Sequence, residues 1–213
     1  MNVQGARSLL MKLIKSKIAM LAILSSAAGP LLADEVLPVK NCTWCHGTSA
    51  QGFATAPRLA GQRDQYIENQ LLSFQEHIRD NPYSKQYMWG ATANLSAQTA
   101  HDLAAYFSTL PPKAANDGDR ELVALGRTIY EEGIAESNVA SCLVCHGPNA
   151  EGVREIPRLG GLSYSYLKSR LEQWGQGFHA AAEPMPQIAH QLSPNEIEAL
   201  ASYLSFVEYD SLE

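Results

Sequence analysis

Two pentapeptides of one design stand 100 residues apart in this 213-residue chain: Cys42-Thr-Trp-Cys45-His46 and Cys142-Leu-Val-Cys145-His146, each followed by glycine. They use all four cysteines, so no thiol is left over. A disulfide framework, a thioredoxin-like redox pair or a four-cysteine zinc site would also account for paired cysteines. None of these calls for a histidine after each pair. In Cys-x-x-Cys-His the two sulfurs form thioether bonds to the vinyl groups of a haem, and the adjacent histidine lies under the iron as proximal ligand. The sequence is therefore expected to hold two covalent haem c groups, on Cys42 and Cys45 with His46 and on Cys142 and Cys145 with His146.

The repeat extends well beyond the pentapeptides. At an offset of 100, Gly52, Pro57-Arg58-Leu59, Gly61 and Tyr66 match Gly152, Pro157-Arg158-Leu159, Gly161 and Tyr166, which marks a tandem duplication. Ile67, Leu71 and Phe74 have the spacing of a one-faced helix, and Leu167, Leu171 and Trp174 repeat it. Later the offset becomes 97, where Ala100, Leu103, Ala104 and Phe107 correspond to Ile197, Leu200, Ala201 and Leu204. These stripes predict the closing helices, the second opened by a capping box on Ser193 and Glu196 and the first by Ser96. Leu122, Gly126, Ile129 and Tyr130 predict a helix before Cys142, whereas Pro38 leaves the first unit with a short N-terminal helix or none. No segment alternates with period two, so the expected fold is all-α. Two prolines at 111 and 112 and the Asn-Asp-Gly turn that follows place the linker, giving domains 34–112 and 113–213.

Residues 1–33 read as a secretory signal peptide. Arg7, Lys12, Lys15 and Lys17 precede a short apolar run from Ile18 to Leu32 that contains Gly29-Pro30, with cleavage expected after Ala33 and, as the alternative, after Ala28. A membrane-spanning helix would need about 20 apolar residues. A cleaved leader predicts a periplasmic protein, with only peripheral membrane contact. Without the leader the chain has 12 Lys plus Arg against 22 Asp plus Glu, a net charge of −10, which argues against nucleic acid as a partner. The charge is uneven, −2 over residues 34–112 and −8 over residues 113–213.

A haem iron held by one histidine is either open for chemistry on its other face or closed by a second protein ligand and confined to electron transfer. Outside the leader only two methionines remain, Met88 and Met185. They lie 97 residues apart, each seven residues before the Leu-Ser that opens a closing helix, so they occupy equivalent places and are expected as the sixth ligands. His77, His101, His179 and His190 have no histidine at the equivalent position and are expected to be solvent or loop residues.

These motifs, with Pro-Arg-Leu-Ala-Gly-Gln after the first haem site and the closing Leu-Ala-Ala-Tyr-Phe, resemble the di-haem cytochrome c4 family over residues 42–206. The resemblance implies two class I cytochrome c domains. It also implies that the Pro57 and Pro157 carbonyls hold the proximal imidazoles and that Arg58 and Arg158 pair with haem propionates. The function implied is a carrier without substrate turnover, working between a quinol-oxidising complex and a haem-copper oxidase. The alternative is the cytochrome subunit of a sulfide, thiosulfate or alcohol dehydrogenase. Trp44 and Trp89 have no counterparts in the second half and are expected to pack on the first haem.

Overall fold

The computed structural model describes residues 37–53 and 55–208; the predicted signal peptide and its cleavage after Ala33 lie outside the described residues. In chain order the helices are α1 (Val39–His46), α2 (Asp64–Gln75), α3 (Trp89–Thr92), α4 (Ala97–Ser108), α5 (Val123–Glu132), α6 (Leu143–His146), α7 (Tyr164–Gly175), α8 (Met185–His190) and α9 (Pro194–Phe206). A π-helical turn, Ser84–Met88, leads into α3. Isolated bridges such as Phe53 with Ala56 and Val153 with Ile156 are the only β pairing among the described residues, so the fold is helical without a sheet.

The predicted stripes are the buried faces. Ala100, Leu103, Ala104 and Phe107 of α4 are all buried, as are Ile197, Leu200, Ala201 and Leu204 of α9. In the first half α4 packs on α2, and in the second α9 packs on α7 and α5. The predicted caps are present: Ser96 accepts from the Thr99 N–H, and Ser193 and Glu196 close a reciprocal capping box. The expected helix before Cys142 is α5, whose Ile129 and Tyr130 join the second core. Gly126 of α5 lies against the Ala199 backbone of α9, where a Cβ would collide with the carbonyl, so this crossing requires glycine.

The chain from Leu37 onward forms one compact unit, with the two halves packed together. Residues 111–118 run without helix between them. Gln51 of the first half anchors this segment by donating to the Pro111 carbonyl at 2.9 Å, and the Gly161 carbonyl of the second half accepts from Ala115 N–H at 3.1 Å. Among the described residues no helix is long and apolar enough to cross a membrane.

Candidate functional site

The two Cys-x-x-Cys-His segments end helices α1 and α6, each turned off by a glycine at positive φ: Gly47 at 83° and Gly147 at 82°. This left-handed exit explains the glycine after each motif. Each loop then folds back identically, with Gly52 N–H donating to the His46 carbonyl and Gly152 N–H to the His146 carbonyl, both at 2.8 Å. In both motifs the histidine is buried, the first cysteine is partly buried and the second is exposed.

The Pro57 carbonyl accepts from His46 Nδ1 at 2.8 Å, and the Pro157 carbonyl from His146 Nδ1 at 3.0 Å. A carbonyl can only accept, so the proton sits on Nδ1 and the Nε2 lone pair is left free in each ring. Burial also pushes both imidazoles below the ordinary histidine range, which keeps them neutral. A neutral imidazole with a fixed tautomer and a free nitrogen is what a metal requires of a histidine ligand. The cysteines do not resemble a redox pair, because burial pushes the Cys142 thiol up to about 11 and raises Cys42 as well.

Met88 ends the π-helical turn, partly buried, and its carbonyl accepts from Thr92 Oγ1 at 2.9 Å. Met185 begins α8 and packs against the second core. Met88 and Met185 thus both sit beside short helices in the segments that precede α4 and α9. Trp89 is half-buried; it donates to the Arg79 carbonyl at 3.0 Å and stacks on His77 with ring centroids 3.9 Å apart. Trp44 is 89% exposed on the protein surface.

A polar cluster that the sequence did not disclose joins the halves. Tyr66 and Tyr166, equivalent in the repeat, share a hydrogen bond, and burial with its neighbour pushes Tyr66 up to about 12. Arg79 donates to Gln70 Oε1 at 2.6 Å and to Tyr166 Oη at 3.1 Å. Arg170 donates to Gln173 at 2.9 Å and to His179 Nδ1 at 3.2 Å, while the His179 N–H reaches Asp80 at 2.7 Å. His179 lies in a loop, as one of the two expected settings for it, and the packing of that loop against the arginines leaves it 7% exposed. Burial and the Arg79 charge bring the Arg170 guanidinium down to about 10. Arg79 and Arg170 are both buried, and Asp80, the carboxylate near Arg170, is also paired with Lys85, which leaves a surplus of positive charge.

Arg58 and Arg158 match in sequence but differ in place. Arg158 is 1% exposed, and its guanidinium donates to the Gly61 carbonyl at 3.0 Å, the Ala60 carbonyl at 2.9 Å and the Gly160 carbonyl. These bonds tie the second half to the first, because the Pro-Arg-Leu segment of each half runs along the seam. Arg58 is half-buried, donates one nitrogen to Gln51 and keeps a buried Nε without a hydrogen-bond partner. Arg79 Nε and Trp174 Nε1 are likewise buried and unpaired. An unpaired buried donor costs about 1–3 kcal/mol, and the carboxylates of a haem would supply acceptors. The sulfur pairs, the neutral histidines, the surplus buried charge and these orphaned donors all fit haem.

The comparisons agree with this chemistry. The sequence profile of the family "Cytochrome c" matches residues 31–111 and again 123–207. The chain is 34% identical to cytochrome c4 of Thiocapsa roseopersicina, covering 84% of this chain and 95% of that one. It is 35% identical to the thiosulfate dehydrogenase electron acceptor of Stutzerimonas stutzeri, covering 78% of each. The solved structure of Acidithiobacillus ferrooxidans cytochrome c4 superposes with a TM-score of 0.74 at 30% identity, over 78% of this chain and 98% of that one. With two family matches, two Cys-x-x-Cys-His sites and a donor set that fits haem, the chain belongs to the cytochrome c family, as a di-haem electron-transfer protein of the cytochrome c4 kind with two covalently bound haem c groups.

Proposed function

We propose that His46 with Met88 and His146 with Met185 are the axial ligand pairs, in domains spanning 34–112 and 113–213, and that the protein is a periplasmic carrier with no substrate turnover of its own. Bound haem supplies one-electron chemistry, and methionine opposite histidine favours its reduced state. The chain's own task is to hold the ligands and keep water away. The observation that carries this reading is the pair of matched Pro carbonyl to His Nδ1 bonds, each leaving one free nitrogen beside a cysteine pair. A spectroelectrochemical titration tests it: two one-electron waves from low-spin haems are expected. Rapid cyanide binding by a high-spin haem would contradict it.

The partners proposed are redox proteins, with a quinol-oxidising complex as donor and a haem-copper oxidase as acceptor. A second reading, an electron-accepting subunit of a periplasmic dehydrogenase, is favoured by the relative named as a thiosulfate dehydrogenase electron acceptor and by Trp44 and Phe53, exposed at 89% and 78%. Size-exclusion of protein from its native source separates the two. Elution at the mass of one chain supports the free carrier, and co-elution with a catalytic chain supports the subunit.

A further inference from the structure

The seam between the halves contains a one-sided contact beside the second proximal histidine. Gln62 belongs to the first half and is 5% exposed, yet both ends of its side-chain amide are used by Arg158 of the second half. Gln62 Oε1 accepts from the Arg158 N–H at 2.7 Å, and Gln62 Nε2 donates to the Arg158 carbonyl at 2.9 Å. Gln62 Oε1 also accepts from the Arg63 N–H at 2.9 Å. The Arg158 N–H belongs to the same peptide group as the Pro157 carbonyl, and that carbonyl accepts from His146 Nδ1. Gln62, the Pro157–Arg158 peptide and the His146 ring therefore form a continuous hydrogen-bonded chain away from water.

Hydrogen bonds in series polarise one another, more so where the dielectric is low. A peptide whose N–H is engaged carries more negative charge on its oxygen, which strengthens the bond that oxygen accepts. A stronger Nδ1–H bond makes the imidazole a more basic ligand, and a more basic ligand favours ferric iron. The repeat provides a contrast, because the residue equivalent to Gln62 is Leu162, which has no amide to offer the Pro57–Arg58 peptide.

We propose that Gln62 is a positioning residue acting across the seam: through the Pro157–Arg158 peptide it strengthens the His146 hydrogen bond and lowers the reduction potential of the second haem relative to the first. This rests on His146 being that haem's proximal ligand. The test uses Gln62→Met, nearly isosteric but with no donor and only a weak thioether acceptor, and Gln62→Glu, which keeps an oxygen acceptor. Each haem is titrated separately by NMR on its ligand-methionine methyl, and the Nδ1–H resonances are observed after 15N-histidine labelling of the reduced holoprotein.

In Gln62→Met the reduction equilibrium of the second haem should shift three- to tenfold towards the reduced form, at most about 59 mV for one electron. The first haem should move less than half as far, and the His146 Nδ1–H signal should shift upfield while that of His46 stays. Gln62→Glu should leave the second potential at or below that of the wild type. A second potential unchanged in Gln62→Met, or both potentials moving together with the His146 signal unmoved, would overturn the proposal and leave Gln62 as interface packing. A second-haem spectrum unaltered in His146→Ala would instead overturn the ligand reading beneath it.

Discussion

Among the described residues the first half buries eight apolar residues, Ala50, Ala60, Ile67, Phe74, Ala100, Leu103, Ala104 and Phe107, whereas the second buries 14. Part of the difference traces to α5, which brings Ile129 and Tyr130 and ties its Tyr130 hydroxyl to the Gly147 carbonyl at 2.6 Å, beside the second haem site. Among the described residues the first half has no helix equivalent to α5. Its closure comes instead from the seam, where Gln62 and Arg63 reach into the second half and Arg158 reaches back. Duplication thus produced two equivalent ligand frames, and later divergence gave them different supports, a dedicated helix in one and the neighbouring half in the other.

The largest expected effect breaks the dedicated support. Gly126→Ala drives a methyl into the Ala199 backbone and should destabilise the second half by more than about 3 kcal/mol in urea unfolding. Gly90→Ala in the first half, where an added Cβ meets nothing within 4 Å, should stay within about 0.5 kcal/mol. Equal losses would show that α5 contributes no special stability.

The equivalent arginines provide the next test. Arg158→Ala strands three backbone carbonyls and should cost about 2–3 kcal/mol, whereas Arg58→Ala, with Gln51 as its side-chain partner, should cost about 1 kcal/mol by the same measurement. Matching costs would erase the asymmetry of the seam.

The halves also differ in how they respond to acid, because position 179 is a histidine where the equivalent position in the first half is Arg79. An unfolded histidine titrates near about 6.5, while burial beside Arg79 and Arg170 pulls His179 down to about 4 in the folded chain. The unfolded state therefore takes up the proton first. Stability from this residue is complete above pH about 6.5 and declines as pH falls towards 4. Tm measured against pH should show that decline in the wild type and a flatter profile in His179→Gln.

The smallest effect is at the caps. Ser193→Ala breaks a reciprocal capping box and should cost about 1 kcal/mol, whereas Ser96→Ala, which removes a single cap, should cost about 0.5 kcal/mol in thermal unfolding.

The helical stripes were legible in the sequence because a face buried along a helix must recur with the helical period, and Leu103 and Leu200 could be placed from spacing alone. The equivalence of Tyr66 and Tyr166 was legible too, but not their meeting, since a repeat reveals which positions correspond and is silent on which ones touch. The seam contacts of Arg158 were not legible, because the motif is local while two of its carbonyl acceptors lie 97 and 98 residues away. The burial of His179 was not legible, because a loop position in sequence does not reveal what packs over it. The change from Gln62 to Leu162 was visible in the aligned halves, yet only the fold shows that Gln62 faces the peptide next to the other proximal histidine.

The central claim, that each half closes its own iron with its own methionine, is tested most directly by the far-red absorption of methionine bound to ferric iron. The account predicts that Met88→Ala and Met185→Ala each remove about half of that band and that the double variant removes it entirely, since two equivalent sites contribute equally. A band unchanged in either single variant would contradict it.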